Sequence, residues 1–70
     1  MLIIVFAEYR GKRFLIDRFQ SRFVEAEKLA AAWKEAHPAA SFYISDKSPS
    51  HYHFDGGASD LFDEEKLAAQ

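Results

Sequence analysis

His51, His53 and Asp55 alternate along the stretch Ser50-His51-Tyr52-His53-Phe54-Asp55. On an extended strand, alternate side chains project to one face, so two imidazoles and a carboxylate at this spacing have the geometry of a small metal site. Paired histidines are also what proton transfer near neutral pH would use. Neither chemistry finds support in the rest of the chain. The remaining histidine, His37, belongs to a different segment, and no nucleophile or second carboxylate accompanies the pair. Cysteine is absent, which excludes thiolate zinc sites and disulfides alike. The stretch therefore reads as an exposed strand face whose other side, Tyr52 and Phe54, packs inward. No catalytic residue, cofactor or metal is expected.

A second pattern interleaves Tyr9, Phe14 and Phe19 with Arg10, Lys12, Arg13, Arg18 and Arg22. Aromatic and basic residues on neighbouring strands can stack bases and hold phosphates. The net charge of −2 argues against a dedicated nucleic-acid binder, and the end of the chain is acidic, with Asp55, Asp60, Asp63, Glu64 and Glu65. The aromatics also alternate between faces, so packing claims most of them. Nucleic-acid binding through this basic hairpin stands as the alternative function. The pair Gly56-Gly57 has no following lysine and is no phosphate-cradling loop.

The elements that position these residues follow from periodicity. Leu2-Ile3-Ile4-Val5-Phe6-Ala7 is apolar on both faces, whereas a strand bordering water should alternate. Tyr9-Arg10-Gly11-Lys12 reads as a two-residue hairpin turn, glycine supplying the positive φ that such loops need. The resulting register pairs Tyr9 with Lys12, Glu8 with Arg13, Ala7 with Phe14 and Phe6 with Leu15. Continued unbroken, it pairs Val5 with Ile16, Ile4 with Asp17 and Ile3 with Arg18. One hairpin face then carries Ile3, Val5, Ala7, Phe14 and Ile16, fit for a helix. The other carries Leu2, Ile4, Phe6, Leu15 and Phe19, with Arg13, Asp17 and Arg18 among them.

A helix from about Ser21 to Ala36 follows, capped by the Ser21 hydroxyl and striped by Phe23, Ala26, Leu29, Ala30 and Trp33. His37-Pro38 ends it. Ser41 to Ser45 reads as a third strand, and His51 to Phe54 as a fourth. Asp55-Gly56-Gly57 reads as a break, and Leu61 to about Ala68 as a short terminal helix begun at Ser59 or Asp60. The fold class is α+β, ββαββ(α): a four-stranded antiparallel sheet in order 2-1-3-4. The main helix packs on one face, and a short C-terminal helix follows.

The 70 residues make one domain, 1–70, with 56–70 a linker and helix that attach loosely. A domain this small buries only about 60% of the surface its unfolded chain exposes, so its margin is thin. Without disulfides or metal, association is the remaining way to widen it. The doubly apolar first strand points the same way. The expectation is a non-enzymatic protein-interaction module, homodimeric or docked on another protein. Its contact face would comprise Leu2, Ile4, Phe6, Arg13, Leu15, Asp17, Arg18 and Phe19. Small phage or mobile-element inhibitors, anti-CRISPR proteins among them, share this size and architecture, and by that analogy alone an accessory protein of a larger complex is expected. No apolar run approaches the ~20 residues of a membrane span, and the six apolar residues at the start have no basic region before them. A cytoplasmic protein without a membrane partner is the expectation.

Overall fold

The computed structural model describes residues 1–20 and 22–69. Strands β1 (Leu2–Tyr9) and β2 (Lys12–Gln20) form the hairpin, turned by Arg10 at φ 52° and Gly11 at φ 80°. Positive φ at both central residues is the turn whose twist matches the strands it joins. Pairing runs as the sequence predicts from Tyr9–Lys12 to Phe6–Leu15, and then it shifts. Beyond the shift Val5 faces Asp17, Ile4 faces Arg18, Ile3 faces Phe19 and Leu2 faces Gln20. Ile16 is the extra residue of a β-bulge, which lets two residues of one strand oppose one of its partner. The expected pairs Val5–Ile16, Ile4–Asp17 and Ile3–Arg18 are thereby corrected by one position. Because side chains alternate with a period of two, this slip exchanges the faces of everything after it.

Helix α1 (Phe23–Ala36) follows β2. The expected cap, Ser21, lies outside the described residues; the helix opens after Arg22 with no side-chain cap bond. It closes where the His37 amide donates to the Trp33 carbonyl at 2.8 Å. Lys34 Nζ then donates to the Pro38 carbonyl at 3.0 Å and the Ala40 carbonyl at 2.8 Å, tying the helix end to the start of β3 (Ser41–Ser45). β3 pairs antiparallel with β1, Tyr43 opposite Phe6.

The remainder departs from expectation. His51 to Phe54 is not a strand. A 3-10 turn covers Pro49–His51, and the chain runs on outside the sheet until β4 (Gly56–Gly57), which pairs parallel with Phe14 and Leu15 of β2. The sheet is therefore mixed, in order β3-β1-β2-β4, rather than fully antiparallel in order 2-1-3-4. Two hydrogen bonds to the backbone of Arg13 explain the placement. Arg13 N–H donates to Asp55 Oδ2 at 2.9 Å, and the Asp55 amide donates to the Arg13 carbonyl at 2.7 Å. They fasten the chain to the outer edge of β2 just before the glycines.

Helix α2 (Ala58–Ala68) starts directly after β4. Asp60 Oδ2 accepts from the Gly57 amide at 2.8 Å, satisfying a backbone donor at the helix start. Gly56 has to be glycine here, because a Cβ at that position would collide with the Asp60 carboxylate. Both helices pack on one face of the sheet. Val5, Ile3 and Ala26 form one core cluster with Ile44, Leu29 and Phe19 around it. Ala7, Phe14, Ala40 and Leu61 form the other, flanked by Trp33 and Phe42. His37 connects the helices, its ring stacked on Trp33 at 5.2 Å and Nδ1 within 2.7 Å of Glu65 Oε1.

Candidate functional site

The sheet face that the sequence offers to a partner is occupied by the chain itself. Ile4 is fully buried and Phe6 is 6% exposed. Phe6 stacks on Tyr43 with centroids 5.4 Å apart, meets Tyr52 at 4.9 Å and takes Phe54 edge-on at 5.9 Å. Tyr52 is held in place by a 2.7 Å hydrogen bond between its hydroxyl and Ser45 Oγ. The alternation of Tyr52 and Phe54 is thus an inward alternation, but onto the face of the sheet instead of along its edge. An extended segment laid across a sheet needs the same period as a strand within it, which is why the two look alike in sequence.

The other expected contact residues scatter. Leu2 and Leu15 are half-buried. Phe19 belongs to the helix side, beside Ile3, because of the bulge. Arg13 donates to Glu8 Oε2 from Nε at 3.1 Å and from Nη2 at 2.9 Å, and its guanidinium lies 5.5 Å from the Phe6 ring centroid and 5.3 Å from that of Tyr52. Asp17 Oδ1 accepts from the Arg18 amide at 2.7 Å. Arg18 stands exposed opposite Ile4. Hence Ile4 and Phe6 are interior, Phe19 is on the wrong side, and these residues do not compose one accessible surface.

The histidines do not converge. His51 sits in the 3-10 turn, edge-on to Tyr52 at 5.2 Å. His53 is 89% exposed, with Nε2 3.5 Å from Asp55 Oδ1. Among the described residues no three histidine, aspartate or glutamate side chains are grouped to hold a metal. A cleft of about 470 Å³ opens at the hairpin tip between Glu8–Arg13, Ser41, His53 and Asp55. Its charges are largely answered within the chain: Arg13 by Glu8, and Lys12 by Glu64 at 2.6 Å. The hydrogen bond from Lys12 to Glu64 and the attraction between the two charges hold the ammonium above its ordinary pKa.

What remains open is the outer edge of β3. Among the described residues it has β1 on one side and no strand on the other. Beside it runs a groove of about 450 Å³, walled by Ala30, Ala31 and Lys34 of α1 and by Ser41, Phe42 and Tyr43. Tyr43 remains 44% exposed even while stacked on Phe6. Sequence reasoning passed over this strand as ordinary. The available signal was that Ser-Phe-Tyr-Ile-Ser has no charge, proline or glycine, the residues that normally protect an edge.

No protein-family model, curated protein or solved structure matches the chain. Its function is therefore argued from the geometry alone.

Proposed function

We propose that this chain is a non-enzymatic protein-interaction module that docks an extended strand along the outer edge of β3. The observation that carries the reading is the union of an unprotected strand edge with a groove lined by alanines. Strand addition at such an edge draws affinity from main-chain hydrogen bonds, while the flanking groove accommodates alternate side chains. The apolar faces of the sheet offer no comparable surface, since the helices lie on one and Tyr52 and Phe54 on the other. An accessory protein that works by docking, of the phage or mobile-element kind, is consistent with this mode.

Exposed Arg10, Arg18 and Arg22 favour a second reading, in which the hairpin holds nucleic acid. It is the weaker of the two, because Lys12 and Arg13 are engaged by carboxylates of the same chain.

One experiment separates them. Isotope-labelled protein in dilute solution is titrated with a peptide of sequence Ser-Phe-Tyr-Ile-Ser bearing neutral flanks, and separately with a short single-stranded RNA at low salt. Amide shifts confined to Ser41–Ser45 and to the α1 residues of the groove are expected from the peptide. Shifts raised only by the RNA, centred on Arg10–Arg22 and removed by salt, would overturn docking at β3 in favour of nucleic-acid binding.

A further inference from the structure

The β3 edge is self-complementary. In Ser41-Phe42-Tyr43-Ile44-Ser45, an antiparallel pairing with an identical strand about Tyr43 sets serine opposite serine and Phe42 opposite Ile44, with the two tyrosines meeting at the centre. Hydroxyl pairs, aromatic–aliphatic pairs and aromatic pairs are each favourable across antiparallel strands, and no like charges oppose one another. From this geometry we infer that the strand docking at β3 is β3 of a second copy of the chain. The two sheets would join into one continuous sheet across a two-fold axis at Tyr43. The inference rests on the docking reading above and names its occupant.

Helix α1 fits the same axis. The ring of Trp33 lies 6.1 Å from that of Phe42, and Ile44 and Leu29 both pack on the cluster of Ile3, Val5 and Ala26. Tyr43 is therefore level with Ala30 and Ala31, the residues that wall the groove. Glu27, Ala30, Ala31 and Lys34 recur at helical spacing and form the lateral stripe of α1 beside that edge. A two-fold between Ala30 and Ala31 runs the two helices antiparallel and sets Glu27 of each copy opposite Lys34 of the other. The alanines let the helices approach, and the charges at either end are complementary.

Because α1 packs on the same face of the sheet as Phe42 and Ile44, joining two β3 edges about 4.8 Å apart sets the two copies of α1 side by side on one face of the joined sheet. A five-residue edge alone falls short of the ~1,200 Å² that stable complexes bury, and the helix pair adds to it. Such a dimer is weak and dissociates on dilution. It is also closed, since each copy's unprotected edge is covered by the other.

The test is solution mass by analytical ultracentrifugation over a dilution series, with circular dichroism to verify folding. Wild type is expected to pass from 8.0 kDa to twice that mass as concentration rises. Tyr43→Lys, which places two ammonium groups at the axis, should stay at 8.0 kDa throughout. Ala31→Glu, at an exposed helix position, should do the same and serves if Tyr43→Lys fails to fold. Glu27→Lys should weaken dimerisation by roughly tenfold, because it sets lysine opposite lysine across the axis. A doubled mass that survives both Tyr43→Lys and Ala31→Glu would overturn the two-fold at Tyr43. So would a wild type that is monomeric at every concentration. If that monomer still takes up the strand peptide at β3, docking stands and only its occupant is wrong; if it does not, both readings fall.

Discussion

The two edges of the sheet were built differently. On the β2 side, β4 covers Phe14 and Leu15, and Asp55 engages both backbone groups of Arg13. Further along, the bulge at Ile16 breaks the line, Asp17 occupies the Arg18 amide with its own carboxylate, and charged side chains stand exposed. These are the devices by which sheets discourage accidental pairing. The β3 side has none of them: its five residues are uncharged and paired in unbroken register with β1. One chain thus protects one edge in several ways and leaves the other bare. The contrast teaches that edge protection here is selective: the outer side of β2 is guarded and that of β3 is not.

The comparison can be tested by damage, beginning with the largest effect. Phe6→Ala empties a site enclosed by Tyr43, Tyr52 and Phe54, so about 3–5 kcal/mol of folding stability should be lost in urea titrations. A cost near zero would mean that the face beneath is a surface after all. Gly56→Ala comes next. It drives a methyl into Asp60 and disturbs both β4 and the α2 cap, costing about 1–2 kcal/mol by the same measurement.

Replacing the β2 guards tests the contrast itself. Asp17→Val with Arg18→Val should alter stability by only about 0.5 kcal/mol, yet produce light-scattering aggregates at concentrations where wild type stays clear. If the doubly substituted protein behaves as wild type, these charges are not guards. The smallest effect concerns Lys12. Its pKa is raised by Glu64, so the pair contributes its stability below the ordinary lysine value of 10.5 and loses it as pH rises through the raised value. Melting temperatures followed through that alkaline range should fall slightly more for wild type than for Glu64→Gln; equal declines would discount the pair.

Much of the hairpin was legible in advance. Arg10-Gly11 announced the turn, Glu8 and Arg13 paired as their charges suggest, and the doubly apolar run fell in the interior between β2 and β3. The bulge was not legible, since it lies in mid-strand, where nothing local to Ile16 and Asp17 marks a break in alternation. Neither was the course of His51 to Phe54, whose alternation is satisfied equally by a strand and by a segment lying across one. The candidate site fared worse. The apolar pattern shows that Phe6 needs cover and suggests another molecule for it, whereas Tyr52 and Phe54 of the same chain provide it.

The sequence by itself determined the local elements of this protein: an apolar central strand, a tight turn, an amphipathic helix and an acidic second helix. Each is set by the spacing of residues near one another in the chain, where steric and hydrogen-bonding preferences act directly. Tertiary structure alone decided which edge β4 would take, which face the aromatic segment would cover and which strand would be left without a neighbour. Those outcomes depend on distant groups competing for the same surfaces, as when the backbone of Arg13 captures Asp55 and draws the chain to the far edge of the sheet. β3 is left without a neighbour on its outer side because β4 pairs with β2 instead, an outcome set by residues far from β3 in the chain.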